Sequence, residues 1–174
     1  GYGIVLNPES TPKIDVYVDY QCPACRMFEI INGGYLNEVI AQNKAKVVYH
    51  PMTFIGPESI LAANAAACAA DEGEFVDMNL ALFQNQPQGE NSGKWQSEYF
   101  VALGKSIGIN SNNFEQCVND GKYVNWTGNV AAASAKADVN GTPTIKINGK
   151  ALDRNTEYGD LGKFRAALAA GGVK

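Results

Sequence analysis

The sequence predicts an α/β fold in which a helical domain interrupts a smaller strand-and-helix domain. Two observations predict it: a strand–helix–strand pattern occupies residues 14–49, and a strand hairpin followed by a helix closes the chain. Residues 57–138 lie between them and show helical spacing of apolar side chains with no strand-like run. We therefore expect residues 1–56 and 139–174 to form one discontinuous domain and residues 57–138 to form the inserted helical domain.

Length and composition limit the possible functions. A chain of 174 residues can build one well-packed domain, or a small domain that carries an insertion. Its net charge of −4 and the absence of a Lys/Arg cluster argue against a nucleic acid as partner. Every apolar run is shorter than the roughly 18 to 20 residues that a membrane helix needs. We expect a monomer that binds no nucleic acid.

The first predicted strand leads directly to a pair of cysteines. Residues 14–20 alternate in polarity and are rich in Val and Tyr, which predicts a buried strand. Cys22 follows it, and Pro23 suits the first turn of a helix because no backbone N–H is needed there. Apolar side chains then recur with helical spacing, and Gly33 and Gly34 should kink this helix.

The remaining elements follow from the same patterns. A second strand over residues 45–49 should run parallel to the first through a right-handed crossover. Breaks in the helical region are expected near Gly73, in the loop 84–93, near Gly108 and near Gly121. The C-terminal part should form a hairpin of residues 144–147 and 151–152 around the Asn148-Gly149 turn, and a helix over residues 161–170.

The C-x-x-C motif carries the chemistry. A cysteine at a helix N-terminus lies beside unpaired N–H groups and the positive end of the helix dipole, which stabilise a thiolate. We therefore expect Cys22 to be the nucleophile. Cys25 lies one helical turn later, within disulfide reach, and should act as the resolving thiol. Pro23 between them should stiffen the loop.

Two other kinds of cysteine site fit the sequence less well. A zinc site needs two more ligands at short, paired spacing, whereas Cys68, Cys117 and His50 are scattered singly. A cysteine protease needs a base for its thiolate, and His50 is the sole histidine of the chain. We interpret His50 as structural and predict no metal.

A second motif, near the C-terminal hairpin, adds to the information in the C-x-x-C motif. The segment Asp19-Tyr20-Gln21-Cys22-Pro23-Ala24-Cys25 and the later Gly141-Thr142-Pro143-Thr144 are separated by helices. This arrangement resembles the DsbA-like branch of the thioredoxin superfamily, including extracytoplasmic members from Gram-positive bacteria. The resemblance implies a thioredoxin fold with an inserted helical domain. It also implies that Pro143 is cis and faces the C-x-x-C motif, and that Thr142 offers its backbone to an extended substrate.

The resemblance implies a thiol-disulfide oxidoreductase that introduces disulfides into exported polypeptides and uses no cofactor beyond its cysteines. A membrane reoxidant of the VKOR-like or DsbB-like kind is the implied partner. The location should be extracytoplasmic, with any signal peptide or membrane anchor absent from this chain. Two alternatives stay open: a disulfide reductase or isomerase, and a non-catalytic peptide-binding or chaperone-like module.

The sequence departs from this family at two positions. Strongly oxidising members carry His between the cysteines, where this chain has Ala24, so we expect a weaker oxidant. The superfamily often has a buried acid six residues before the nucleophile, and Val16 occupies that position here. Asp15 or Asp19 could replace the acid only if a bulge re-aimed its side chain, so the proton acceptor stays open.

The other two cysteines lie in the predicted helical domain. Cys68 and Cys117 each fall on the apolar side of a helix and should face the interior. In an exported protein we expect a structural disulfide between them, and buried free thiols are the alternative.

Overall fold

The computed structural model describes residues 2–174 and contains a five-stranded mixed sheet. Its strands are β1 (Ile4–Leu6), β2 (Lys13–Val18), β3 (Lys46–Pro51), β4 (Thr144–Ile147) and β5 (Lys150–Ala151). Their order in the sheet is β1-β3-β2-β4-β5. Strands β2 and β3 are parallel, as predicted for a strand–helix–strand unit, and the other neighbours are antiparallel.

Helices follow the strands in the predicted order. They are α1 (Pro23–Phe28), α2 (Gly34–Ala41), α3 (Pro57–Asp71), α4 (Phe75–Gln84), α5 (Ser97–Ser106), α6 (Asn112–Asn119), α7 (Val124–Lys136) and α8 (Leu161–Ala170). Within residues 2–174, no helix is both long enough and apolar enough to cross a membrane.

The predicted irregularity at Gly33 lies between α1 and α2. Residues Glu29–Gly33 form a π-helical turn that interrupts the α-helix after Cys22. A Cβ atom on Gly33 would overlap the carboxyl group of Glu29. Gly33 therefore leaves the space into which the Glu29 side chain folds.

Both faces of the sheet are covered. Along β2, Val16 contributes to the main core, and its neighbour Tyr17 points to a smaller cluster with Val130 of α7. Phe28 of α1 packs edge-to-face against Phe164 of α8, with ring centroids 5.3 Å apart. This contact holds the helix that carries the cysteines against the C-terminal helix.

Three details differ from the sequence-based expectation. Strand β1 was not expected, and it pairs antiparallel with β3 at the edge of the sheet. A strand of three residues contains too few alternating positions to be seen in a sequence. β3 extends through Pro51, and β5 begins one residue earlier than predicted. The division into two domains stays a prediction, since one hydrophobic cluster contains residues from both parts.

Candidate active site

The C-x-x-C motif lies where β2 ends and α1 begins. Cys22 is the N-cap residue of α1 and Pro23 occupies the first helical turn. The Cys22 thiol is half-buried, and its Sγ lies 3.6 Å from the carbonyl oxygen of Thr142. Cys25 is fully buried, and both cysteines are free thiols. Only one of the two sulfur atoms is thus open to an incoming polypeptide.

The pKa values of the two thiols are shifted in opposite directions. A hydrogen bond from Cys25 lowers the pKa of Cys22 to about 6. Burial opposes this change, and the Thr142 side chain and the backbone N–H groups of Ala24 and Cys25 assist it. Burial raises the pKa of Cys25 well above its usual value, and the neighbouring Cys22 adds to the increase. Cys22 is therefore the thiol that ionises near neutral pH.

The second motif lies beside the first. The Thr142–Pro143 peptide bond is cis, Pro143 is buried, and the Thr142 backbone faces the Cys22 sulfur. Ala24 is exposed and offers no hydrogen bond from its side chain. The structure thus brings together the six predicted active-site residues, which are Cys22, Pro23, Ala24, Cys25, Thr142 and Pro143.

A polar clamp from the helical region holds the segment before Cys22. We use this name for Ser59, Gln86 and Asn91. The Gln86 amide donates to the carbonyl oxygens of Tyr20 and Cys22, at 2.7 Å and 3.0 Å. Ser59 Oγ donates to the Asp19 carboxylate at 2.6 Å, and the Asn91 N–H donates to the Gln21 side chain at 2.6 Å.

Asp15 and Asp19, the two candidates for the buried acid, lie in different surroundings. Burial raises the pKa of Asp15, but hydrogen bonds from His50 and Lys13 outweigh burial and leave it lowered. Asp19 is fully buried, and burial raises its pKa. Its carboxylate accepts hydrogen bonds from Ser59 Oγ and from the N–H groups of Gln21 and Ile55, so it joins β2 to the helical region.

His50 has a structural position. Its Nε2 lies 2.8 Å from Asp15 Oδ1, its Nδ1 lies 2.8 Å from the Tyr2 carbonyl oxygen, and its ring stacks on Tyr17. Both nitrogens are therefore occupied by groups other than the cysteines. Among residues 2–174, no cluster of three or more His, Cys, Asp or Glu side chains could hold a metal ion.

The sequence-based expectations did not include a buried carboxyl group just after the C-x-x-C motif. Glu29 is 5% exposed and follows Cys25 by four residues, a spacing that places both on one face of a helix. That spacing was the signal that could have revealed it. The residues of the polar clamp left no such signal, because their partners are distant in the sequence.

The remaining two cysteines are joined. Cys68 of α3 and Cys117 of α6 form a disulfide with Cα atoms 5.8 Å apart. Both residues are buried, which separates them from the half-buried Cys22.

This geometry agrees with a family match. Residues 3–164 match the family model described as thioredoxin. The chain belongs to the thioredoxin family. As a member of this family it carries its C-x-x-C motif at the start of the first helix after a central strand.

Proteins with similar sequences include antiporters and a disulfide bond formation protein. One is "Na(+)/H(+) antiporter NhaA 1" of Mycobacterium sp. (strain KMS), 29% identical over 171 residues, which are 95% of this chain and 26% of the antiporter. The chain thus spans about a quarter of the length of the antiporters it matches. The other is "Disulfide bond formation protein D" of Bacillus subtilis (strain 168), 25% identical over 163 residues, covering 90% of this chain and 72% of that protein.

A solved structure confirms the fold. BdbD from Bacillus subtilis in its oxidised form superposes with a TM-score of 0.81 at 22% identity, covering 97% of this chain and 92% of that chain. This structure confirms the thioredoxin fold predicted from the sequence. The oxidised form of DsbA from Mycobacterium tuberculosis, 25% identical, superposes with a TM-score of 0.76 over 97% of this chain and 89% of that chain, in agreement with the DsbA-like resemblance.

Proposed function

We propose that this protein oxidises pairs of cysteines in exported polypeptides through a Cys22–Cys25 disulfide. The observation that carries the proposal is the contrast between the acidic, half-buried Cys22 and the non-acidic, buried Cys25 at the start of α1. A low thiol pKa stabilises the reduced protein, and a stable reduced form makes the disulfide a good oxidant.

The exchange has two steps. A substrate thiolate attacks Cys22 Sγ, the Cys22–Cys25 bond breaks, and Cys25 leaves with the electron pair and takes up a proton. A second substrate thiolate then attacks the substrate sulfur of the mixed disulfide, and Cys22 leaves as a thiolate. The substrate loses two electrons and gains a disulfide, and the protein gains those electrons. A pKa of about 6 makes Cys22 a good leaving group.

The surface around Cys22 suits an unfolded polypeptide. The backbone of Thr142 can pair with an extended chain, as strand addition requires. Met27 and Ile30 continue the helix beyond the cysteines and are 54% and 65% exposed. Exposed apolar side chains on the helix that begins at the reactive cysteine favour substrates that have not yet buried their own apolar residues.

The proposal also covers how the Cys22–Cys25 disulfide is regenerated and where the protein is located. We propose an extracytoplasmic protein reoxidised by a membrane partner of the VKOR-like or DsbB-like kind, because disulfides persist outside the cytoplasm. The disulfide between Cys68 and Cys117 supports an oxidising compartment. The antiporter relatives support a location close to a membrane for this protein, because a region similar to this chain forms part of those proteins.

Redox titration tests the proposal against a reductase or isomerase. The Cys22–Cys25 pair is equilibrated with glutathione buffers, and thermal unfolding is compared for the oxidised and reduced proteins. We expect a reduced form at least as stable as the oxidised one, and net oxidation of a reduced model polypeptide. An oxidised form that is more stable by several kcal/mol would instead support a reductase.

A further inference from the structure

Three Asn-Gly pairs occur in the chain, and the structure places them in different surroundings. They are Asn32-Gly33, Asn140-Gly141 and Asn148-Gly149. In such a pair the backbone nitrogen of the glycine can attack the side-chain amide of the asparagine, because glycine has no Cβ atom to hinder the approach. The reaction needs a mobile asparagine side chain and a free glycine N–H, so hydrogen bonds to either group slow it.

Two of the three pairs are held in place. Asn148 accepts a hydrogen bond from the Lys13 N–H at 3.2 Å and donates one to the Gly171 carbonyl oxygen at 3.2 Å. Asn32 is fully buried and donates to the Tyr158 carbonyl oxygen at 2.8 Å. It also belongs to the π-helical turn, where the backbone N–H groups bond within the helix. Both asparagines are therefore restrained against this reaction.

Asn140-Gly141 is the pair without these restraints. Asn140 is exposed and lies in neither a helix nor a strand. Within residues 2–174, no hydrogen bond involves the Asn140 side chain or the backbone N–H of Gly141. The pair also lines a surface groove of about 360 Å³ together with Asp138, Thr144 and Arg154. Water can therefore reach both residues.

Arg154 adds to the reactivity of this pair. Its guanidinium group would lie 3.5 Å from a Cβ atom on Gly141, so the cation lies against the peptide that has to react. The group donates a hydrogen bond to Thr144 Oγ1 at 3.1 Å and, among residues 2–174, forms no salt bridge with a carboxylate. A positive charge at this place favours the anionic peptide nitrogen that must form before the attack.

We propose that Asn140 deamidates and that the product makes the Cys22–Cys25 pair a weaker oxidant. The second part rests on the proposed redox role of that pair. The Gly141 nitrogen loses its proton to solvent and bonds to the side-chain carbonyl carbon of Asn140, and the amide nitrogen leaves as ammonia. Water then opens the succinimide ring and leaves a carboxylate at position 140, as aspartate or isoaspartate. The reaction consumes one water molecule and transfers no electrons.

The new carboxylate lies close to the active site. Position 140 is two residues before Thr142, whose carbonyl oxygen lies 3.6 Å from Cys22 Sγ. Two peptide units span at most about 7.6 Å, so the charge falls within roughly 15 Å of the sulfur. A like charge disfavours the Cys22 thiolate and with it the reduced protein. Arg154 and solvent screen part of this charge, so the glutathione equilibrium constant should change by roughly two- to fivefold.

Peptide mapping by mass spectrometry tests the first part. The natural protein is incubated at mildly alkaline pH, and deamidation is followed in the peptides that contain the three pairs. The Asn140 peptide should react roughly tenfold faster than the Asn148 peptide, because two hydrogen bonds of ordinary strength must first break around Asn148.

Gly141→Ala is the matched variant for this measurement. A Cβ atom at this position would meet Arg154 at an ordinary van der Waals distance, and Gly141 does not have a positive φ angle, so the fold should accept alanine. The added methyl group hinders the attack by the backbone nitrogen, so Asn140 should stay an amide during the same incubation.

Redox measurements on the incubated protein test the second part. Glutathione equilibria of the deamidated protein should shift toward the oxidised form by roughly two- to fivefold. Asn140→Asp carries the same charge without incubation and should shift in the same direction. Asn140→Gln keeps a neutral amide and is the matched control, so its equilibrium should equal that of the fresh natural protein.

Two results would overturn the inference. The first is an Asn140 peptide that deamidates no faster than the Asn148 peptide. The second is an unchanged glutathione equilibrium in both the deamidated protein and Asn140→Asp. Failure of the proposed function is recognised separately, because the fresh natural protein would then already show a more stable oxidised form.

Discussion

The two cysteine pairs of this protein differ in position, and that difference separates a reactive site from a structural one. Cys22 ends a loop and begins a helix, where its sulfur is half-buried and its pKa falls to about 6. Cys68 and Cys117 lie within helices, are buried, and form a disulfide between α3 and α6. The Cys22 thiolate is stabilised by the hydrogen bond from Cys25 and, to a smaller extent, by the free backbone N–H groups at the start of α1.

The pairs also differ in how much chain they close. The chain-entropy model gives about 2 kcal/mol for a bond between Cys22 and Cys25, which closes a single helical turn. It gives about 4 kcal/mol for the bond between Cys68 and Cys117, which are 49 residues apart. A bond between Cys22 and Cys25 would therefore change the stability little, whereas the bond between Cys68 and Cys117 stabilises the helical region.

The largest effect should come from Cys22→Ser. The variant lacks the sulfur that forms the mixed disulfide, so oxidation of a reduced model polypeptide should fall to the uncatalysed rate. The matched control is the double variant Cys68→Ala/Cys117→Ala, which should keep catalytic activity at a temperature where it is folded. Activity retained by Cys22→Ser would instead support the peptide-binding or chaperone-like alternative.

The double variant Cys68→Ala/Cys117→Ala should lose stability. Removing the cross-link frees a loop of 49 residues in the unfolded chain, so the free energy of unfolding should fall by about 4 kcal/mol. This corresponds to a decrease in Tm of roughly 8 to 16 °C for a domain of this size. Urea unfolding is measured with Cys22 and Cys25 reduced in both proteins. A loss below about 1 kcal/mol would mean that the disulfide constrains little of the unfolded chain.

The smallest effect should come from Ala24→His. An imidazole beside Cys22 can stabilise the thiolate, so the Cys22 pKa should fall below about 6. The reduction potential should rise by about 30 mV for each unit of pKa. The rate of iodoacetamide alkylation against pH gives the pKa, and glutathione equilibria give the potential. Ala24→Gln, which is polar but uncharged, should shift both less. An unchanged potential in Ala24→His would show that this side chain does not control the redox poise.

The sequence by itself determined the order of the main strands and helices and the position of the Cys22 and Cys25 pair. Alternation in residues 14–20, the Cys22-to-Cys25 motif and the Thr142-Pro143 motif depend on neighbours a few residues away, so they can be recognised without a structure. The interruption of the helix near Gly33 was predicted for the same reason.

Tertiary structure decided the surroundings of the buried carboxyl groups and the support of the active-site segment. Asp15, Asp19 and Glu29 are equivalent carboxylates in the sequence, but in the fold Asp15 pairs with His50, Asp19 binds Ser59, and Glu29 meets Asn79. Gln86 reaches the carbonyl of Cys22 from 64 residues away. A pKa and a hydrogen-bond partner depend on burial and on distances between remote segments, and folding creates both only when those segments pack together.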